Sequence, residues 1–232
     1  MARYGRCAVG VLPSLTWCIL AGVVLLLGSM PSQADEEIRE FAVKVKNKPA
    51  GHYRMTIVSD RDGTTSMTGE ANVDVRQFVI RYTYAYRGTE VWQNGRLIQL
   101  DSSANDNGTQ FTVNVRPNGN NLRVQANGQV HDTRSDVWTT SYWKLAGPQF
   151  RNQNLLLLDS DTGREIQAQL RFVGQAVVNV AGETQNCSHY KITGGRDLNV
   201  DVWYDAQERL VRQVSIEQGQ QTLLELVKME KR

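Results

Sequence analysis

The sequence predicts an all-β fold: a single, strongly curved antiparallel sheet in the form of a half-open barrel, with one short helical insert. Asn94-Gly95 and Asn107-Gly108 each separate alternating strands, and Asn-Gly tolerates the positive φ that a two-residue hairpin turn requires. Gly, Asn or Asp turn residues also recur at intervals of about 8 to 12 residues, as in all-β domains. After residue 34, no long segment keeps the helical period of about 3.6 residues.

These turn residues divide the chain into successive predicted strands. Ser135 is a favourable helix N-cap, and Trp138, Tyr142 and Leu145 follow it at helical spacing, so the only helix is predicted near 135–146. No linker or low-complexity tract interrupts residues 35–232, which predicts one β domain. The predicted strands cover residues 41–45, 52–59, 64–75, 77–87, 88–93, 96–102, 109–116, 121–126, 129–133, 154–159, 165–172, 174–181, 184–193, 197–204, 209–217 and 220–229.

Residues 1–34 have the pattern of a cleaved signal peptide. Arg3 and Arg6 precede an apolar core of about 12 residues, shorter than the roughly 20 that span a bilayer, and Ser32-Gln33-Ala34 offers small residues to a signal peptidase. We expect cleavage after Ala34 and a periplasmic or secreted protein with no transmembrane span after cleavage. The remaining chain has 24 basic and 24 acidic residues and one cysteine, Cys187. Balanced, scattered charge argues against a nucleic-acid partner, and one cysteine excludes an intramolecular disulfide.

Alternation along the strands places aromatic side chains on both faces of the sheet. Tyr82, Tyr84 and Tyr86 share one face with Phe78 and Ile80, because every second residue of a strand points the same way. A sheet with apolar load on both faces suits a curled form, with one face lining an interior and the other partly covered.

The first Asn-Gly turn also predicts a register. A two-residue turn pairs Trp92 with Leu97 and Val91 with Ile98, which places Glu90 on the same mixed face as Trp92.

An ordered set of short motifs resembles a family of exported bacterial β-sheet proteins of unknown function, over most of 38–229. The resemblance implies a curled sheet similar in shape to the half-barrels of periplasmic lipoprotein carriers. It implies no catalytic residue, because that family has no assigned active site. This chain has Lys144-Leu145 where such proteins tend to have Asn-Pro. The motifs are Tyr86-Arg-Gly-Thr-Glu-Val-Trp-Gln-Asn-Gly-Arg-Leu97, Leu100, Asn105-Asp-Asn-Gly108, Ser141-Tyr-Trp143, Leu157-Leu-x-x-x-Thr-Gly163, Tyr190-x-Ile-x-Gly194 and Asp201-Val-Trp-Tyr204.

Two acid-x-Trp pairs suggest a ligand lining. Glu90-x-Trp92 and Asp201-x-Trp203 each place a carboxylate two residues before an indole on one strand face, so the indole supplies area and the acid fixes orientation. We expect both indoles on the same, shielded side of the sheet, with aromatic residues of the insert near the opening. The structural alternative is buried indoles whose acids pair with arginines or backbone donors. The candidate ligand-binding residues are Glu90, Trp92, Trp138, Tyr142, Trp143, Asp201 and Trp203.

Motifs for catalysis or metal binding are weak. Cys187 and His189 share a strand face, but residues two apart in a strand lie about 6.5 Å apart, too far for a nucleophile–base hydrogen bond, so a lone, semi-exposed thiol is the better interpretation. The three histidines lie in separate strands, and no metal site is expected. Asp159-x-Asp161-x-Gly163 lacks further calcium ligands and is predicted to be a tight turn.

The sequence therefore favours a non-enzymatic protein of the cell envelope, without a cofactor, that binds or carries an apolar small molecule, a lipid or an acyl chain. Two alternatives stay open. The first is an interaction module that presents an aromatic face or an edge strand to another envelope protein. The second is a hydrolase whose residues assemble from distant strands. A carrier requires an enclosed apolar cavity of several hundred Å³, whereas an enzyme requires convergent titratable groups.

Overall fold

The structure is a computed structural model that describes residues 35–77, 80–195, 197–217 and 219–232. The predicted signal peptide and Phe78 lie outside these residues. Within them, no helix is both long and apolar enough to cross a membrane. The strands are β1 (Asp35–Val45), β2 (Lys48–Ser59), β3 (Thr64–Gln77), β4 (Ile80–Gln93), β5 (Arg96–Asp106), β6 (Thr109–Asn118), β7 (Asn121–Ala126), β8 (Gln129–Arg134), β9 (Trp138–Thr139), β10 (Gln153–Leu158), β11 (Glu165–Val180), β12 (Glu183–Gly194), β13 (Leu198–Tyr204), β14 (Leu210–Glu217) and β15 (Gln220–Lys231).

All fifteen strands belong to one sheet, which confirms the predicted all-β class. Its order runs from β8 back to β1, then from β15 back to β9, so that β1 pairs with the last strand, β15. Neighbouring strands are antiparallel, apart from the short parallel pair of β9 and β10. The sheet does not close into a barrel: β8 and β9 are its two edges.

The sheet curls until strands from its two halves touch. Ser102 of β5 donates a hydrogen bond of 2.5 Å from its Oγ to the carbonyl oxygen of Ser160, in the turn between β10 and β11. The same turn packs on β7 at Gly163, where φ is +71° and an added Cβ would lie 2.7 Å from the Cβ of Ala126. Only glycine fits this position, because a side chain would collide with β7 and strain the backbone.

The concave face of the curled sheet, called the inner face here, holds the hydrophobic core. Alternate residues of each strand point into it, and the residues between them form the outer face, where most of the ion pairs lie. In β13, Val200, Val202 and Tyr204 are buried, while Asp201 and Trp203, which share the outer face, are half-buried. The largest fully buried side chains are Trp92, Tyr204, Phe41, Met55, Met67, Leu97, Leu100, Leu122, Leu157, Leu158, Leu170 and Leu210.

The predicted helix near 135–146 is wrong. Trp138 and Thr139 instead form β9, and Tyr142 has a φ of +49°, which a right-handed helix does not allow. Consecutive side chains of this segment are buried, whereas a surface helix buries one stripe. The single helical element of the described residues is a 3-10 turn, Pro148–Phe150, at the end of the insert.

The predicted register after Asn94-Gly95 is half right. Trp92 pairs with Leu97, as expected, but a bulge places Val91 opposite Gln99 and leaves Ile98 without a partner. The extra residue moves Leu100 onto the inner face, opposite Glu90. Sequence spacing alone does not reveal this bulge, because side chains alternate between the two faces of the sheet on each side of it.

Candidate functional site

Glu90 lies at the centre of a polar and aromatic cluster deep in the inner face. Its carboxylate accepts hydrogen bonds from Trp92 Nε1 at 2.8 Å, Thr139 Oγ1 at 3.0 Å and Ser160 Oγ at 3.4 Å. Burial raises the pKa of this fully enclosed carboxyl, and the hydrogen bonds oppose the rise by stabilising the charged form. The cluster therefore holds a potential buried charge whose hydrogen-bonding needs are met by protein groups.

Lys144 supplies the nearest positive charge to this cluster. Its Nζ lies over three indoles, 4.6 Å from the ring centre of Trp143, 5.6 Å from that of Trp92 and 5.8 Å from that of Trp138. Burial lowers the pKa of Lys144, and the negative charge of Glu90 partly offsets this. A Trp cage of this kind suits an ammonium group, and here the protein's own lysine occupies it.

Five of the seven candidate residues therefore come together: Glu90, Trp92, Trp138, Tyr142 and Trp143 belong to one buried region. The rings of Trp92 and Trp138 are 4.8 Å apart, and the aromatic members of this region belong to the buried hydrophobic core. The buried indole of Trp92 is as in the structural alternative, but the donors to Glu90 are the side chains of Trp92, Thr139 and Ser160. The three aromatic residues of the insert, Trp138, Tyr142 and Trp143, are all buried.

The second acid-x-Trp pair lies on the opposite face. Trp203 stacks on His189 with ring centres 4.3 Å apart and carries the guanidinium of Arg212 at 5.1 Å on the same outer face. Asp201 accepts a hydrogen bond from His189 Nε2 at 2.7 Å and pairs with Lys191 at 3.3 Å. The expectation that Trp92 and Trp203 share one side is therefore wrong. The two pairs have the same sequence pattern, but they lie on opposite faces of the sheet.

Cys187 is buried rather than semi-exposed, and it does not form a pair with His189. Its thiol has one weak contact, from Sγ to the carbonyl oxygen of Gln185 at 3.8 Å, while His189 is engaged by Asp201. Burial and the charge of Asp205 raise the pKa of Cys187. A protonated, inaccessible thiol is a poor nucleophile, so the structure gives no support to a Cys–His dyad.

We expect Cys187 to resist thiol reagents in the folded protein. At pH 8, labelling by Ellman's reagent should be about 100-fold slower than in denaturant, since the thiol reacts only when the strands open. The reaction is followed at 412 nm, which is about the absorbance maximum of the released thiolate, with an exposed-cysteine variant, Ser103→Cys, as the control. Rapid labelling of native Cys187 would show that the β11–β12 hairpin opens readily.

One end of the inner face remains partly open. Here Val73 pairs with Tyr84 and Val75 pairs with Tyr82 across β3 and β4, while Phe111 of β6 lies on the same face, two strands away from β4. They are half-buried or exposed, with Tyr82 38% exposed, whereas Met67, Tyr86 and Val113, further along the inner face of the same strands, are buried. We call this surface the aromatic strip; its residues are Val73, Val75, Tyr82, Tyr84 and Phe111.

Acidic groups face the aromatic strip. The hydroxyl of Tyr84 donates a hydrogen bond of 2.6 Å to Asp161 Oδ2, and burial raises the pKa of Asp161 to about 7 despite that bond. Burial together with the charges of Asp159 and Asp106 also raises the pKa of Glu217. A carboxyl that titrates near neutral pH in a partly open cleft is typical of a functional site.

Sequence reasoning missed this acidic end, apart from Asp161 as part of a turn. That turn is confirmed as tight: Asp159 Oδ1 accepts hydrogen bonds from the backbone amides of Asp161 at 3.0 Å and Thr162 at 3.3 Å. Across the described ranges, no three His, Cys, Asp or Glu side chains are arranged to hold a metal ion. Asp106, Asp161 and Glu217 come from strand ends and a turn that are far apart in sequence, so no local motif predicts that they belong to one site.

Comparisons with known proteins agree with this fold. The family model described as "Domain of unknown function (DUF6134)" matches residues 41–227. Among curated proteins, none matches the chain. A β-barrel-like protein of the DUF1849 domain of unknown function from Brucella abortus is 9% identical, with a TM-score of 0.62, covering 86% of this chain and 98% of that one. At this identity the likeness shows a shared fold alone.

A second solved structure has a much weaker likeness. A putative outer membrane lipoprotein-sorting protein domain from Vibrio parahaemolyticus is 9% identical, covering 85% of each chain, but its TM-score is 0.26, which supports no conclusion. The resemblance of this chain to a bacterial β-sheet family of unknown function is confirmed by the family match.

Proposed function

Because this chain belongs to the DUF6134 family of domains of unknown function, we propose its function from geometry: a non-enzymatic protein of the cell envelope that binds an apolar or amphipathic ligand at the open end of its curled sheet. The aromatic strip carries this proposal. Soluble proteins seldom leave adjoining apolar side chains partly exposed on a concave face unless something covers them. The envelope location is supported by the signal-like residues 1–34.

The ligand would lie at the open end rather than deep in the interior. The interior is filled by side chains such as Trp92, Tyr204 and Leu100, each at most 1% exposed, and a ligand there would have to displace them. At the open end, Tyr82 and Phe111 are accessible without rearrangement of the core. The protein would therefore hold one end of a lipid or acyl chain against the strip and leave the remainder outside.

The decisive experiment is native mass spectrometry of the full chain purified from a bacterial envelope, followed by organic extraction and lipid analysis. We expect co-purified lipid, and we expect a Tyr82→Ser/Phe111→Ser variant to lose most of it. The matched control is Val177→Ser, which removes an apolar side chain that is 72% exposed away from the strip. A clean apo mass for the wild type, with no lipid taken up from added vesicles, would contradict the proposal.

One observation favours a second candidate, an interaction module. Strand β8 is a sheet edge, and the two-residue turn at Asn127-Gly128 directs the amide and carbonyl groups of Val130 and Asp132 away from β7. A groove of about 650 Å³ lies beside this edge, between His131 and Glu165. An extended segment of another envelope protein could add to the sheet there. Loss of a co-purified protein, rather than of lipid, in a Val130→Pro variant would favour this candidate.

A further inference from the structure

Strand β11 has an unpaired edge over its second half. On one side it pairs with β12 over residues 168–180, but on the other side it pairs with β10 only over residues 165–170. Among the described residues, no strand pairs with residues 171–180 on that second side. Asn152 caps the start of this stretch, where its Oδ1 accepts a hydrogen bond of 2.8 Å from the amide of Phe172. We call residues 171–180 the free edge.

Three residues of the free edge direct their backbone groups away from β12. Ala181 and Gly182, both at positive φ, form the two-residue turn into β12, so the first hydrogen-bonded pair is Val180 with Glu183. In an antiparallel pair, only alternate residues point their amide and carbonyl groups at the partner strand. The register is unbroken over 174–180, so the residues between the bonded ones point outward. These outward residues are Gln175, Val177 and Asn179.

The free edge lacks the features that protect an exposed strand from pairing with another chain. Charged side chains, proline and short length usually supply that protection. Residues 172–182 contain no charged residue and no proline, and Val173 and Val177 are 55% and 72% exposed. Strand β8, an edge at the end of the sheet, instead carries Asp132 and Arg134, each in an ion pair. The free edge of β11 therefore favours pairing with a further strand.

The free edge is complementary to a second copy of itself. With a twofold axis at Val177, antiparallel pairing places Val177 opposite the same residue of the second copy, and Gln175 opposite Asn179 on both sides of the axis. The Nε2 of Gln175 donates to Ser188 Oγ at 3.1 Å. The Oδ1 of Asn179 accepts from the amide of Gly182 at 3.1 Å. The Oε1 of Gln175 and the Nδ2 of Asn179 are thus left to bond each other across the axis.

Charge at the ends of the free edge fits the same arrangement. Arg171 precedes the uncharged stretch and Glu183 follows it, and both side chains are exposed. Antiparallel pairing brings Arg171 of one copy to the β11–β12 turn of the other, where Glu183 lies. A twofold axis near the centre of β8 would instead set Asp132 opposite itself, and like charges directly opposite destabilise a sheet.

We propose that two copies of this protein pair antiparallel through the free edge, with the twofold axis at Val177, and so form one sheet that continues across both copies. Each outward residue then belongs to a pair that exchanges both of its backbone hydrogen bonds. This inference goes beyond the proposed function and does not depend on it, because the aromatic strip contains no residue of β11. One strand per copy buries less area than a standard interface, so we expect a reversible dimer with a dissociation constant on the order of 10 µM.

Sedimentation velocity of the purified full chain, from about 1 to about 200 µM, tests the inference. We expect the wild type to change from monomer to dimer over this range. Val177→Lys and Val177→Asp each set like charges opposite one another across the axis, and each should weaken association at least about tenfold. Because Val177 is 72% exposed, neither change should disturb the fold, which circular dichroism verifies.

An equimolar mixture of the two variants locates the axis. It sets the lysine of one chain opposite the aspartate of the other and should restore an affinity within about threefold of the wild type. Val130→Lys makes the same change on β8, tells the two edges apart, and should leave association unchanged. The inference is overturned by a wild type that stays monomeric, by Val177 variants that dimerise like the wild type, by a mixture that stays monomeric, or by loss of the dimer in Val130→Lys.

Discussion

Trp92→Ala is expected to lower the free energy of unfolding by about 3–5 kcal/mol, the range for removing a large buried aromatic side chain. Trp92 is 1% exposed, its ring packs 4.8 Å from that of Trp138, and its Nε1 is a donor to the buried carboxylate of Glu90. The substitution therefore leaves a cavity and also deprives a buried acid of a hydrogen bond. It additionally removes one of the three rings around Lys144.

Trp203→Ala is the matched control, because the two residues have the same acid-x-Trp context. Trp203 is half-buried on the outer face, and its substitution removes the stack on His189 and the contact with Arg212. We expect a loss of about 1–2 kcal/mol. Urea unfolding followed by far-UV circular dichroism measures both variants without relying on tryptophan fluorescence. Equal losses would show that Trp92 is not part of the core.

The strand pattern was predictable because its signals are local. Asn94 and Asn107 both adopt positive φ in two-residue turns, as their sequences indicate, and the intervening strands alternate in burial. A single residue type at a single position decides each of these turns. The class of the fold and most strand positions follow from this local chemistry, with no knowledge of distant contacts.

The insert and the bulge were not predictable because tertiary contacts decide them. Tyr142 adopts a left-handed backbone that its own side chain disfavours, and Trp138 joins a parallel bridge to Leu157. The sequence of residues 134–147 alone indicates neither the conformation of Tyr142 nor the pairing of Trp138. The extra residue at Ile98 likewise depends on how β5 packs against β4, since alternation is preserved on both sides of it.

The acidic end was hidden for a topological reason. Glu217 and Asp106 lie at the ends of β14 and β5, which are far apart in the sheet and in sequence, and only the curl of the sheet brings them together. The acid-x-Trp pattern drew attention to Glu90 and Asp201 because it is local. Tyr142 was a predicted candidate because of its aromatic neighbours, and its hydroxyl is buried without a hydrogen-bond partner.

The two ends of the interior thus differ in how their polar groups are satisfied. Around Glu90, the side chains of Trp92 and Thr139 donate hydrogen bonds to the carboxylate. Around Asp161, the phenol of Tyr84 is the one hydrogen-bond donor among described side chains, and the surrounding charges are negative. The carboxylate of Glu90 is therefore stabilised by several protein donors, whereas the ionised form of Asp161 is costly in the folded protein.

Asp161→Asn is expected to stabilise the protein at neutral and alkaline pH by on the order of 2–4 kcal/mol, and to have little effect near pH 4. Burial raises the pKa of Asp161 from 3.8 to about 7 in the folded protein. Below pH 4 the carboxyl is protonated in both states and favours neither. As pH rises from about 4 to about 7, the unfolded chain releases the proton while the folded chain keeps it, so the free energy of unfolding falls. Above about pH 7 the free energy of unfolding stays lowered by the full amount.

Asparagine mimics the protonated acid and keeps an oxygen that can accept the hydrogen bond from Tyr84, so the variant escapes this cost. Urea unfolding of both proteins between pH 4 and 8 isolates the effect, because every other titratable group is present in both. Asp74→Asn is a control of opposite sign: hydrogen bonds from Arg81 and Arg76 lower the pKa of Asp74, so its loss should destabilise the protein at pH 8. If Asp161→Asn and the wild type have the same pH dependence of unfolding, Asp161 is not a carboxyl whose pKa burial raises in the folded protein.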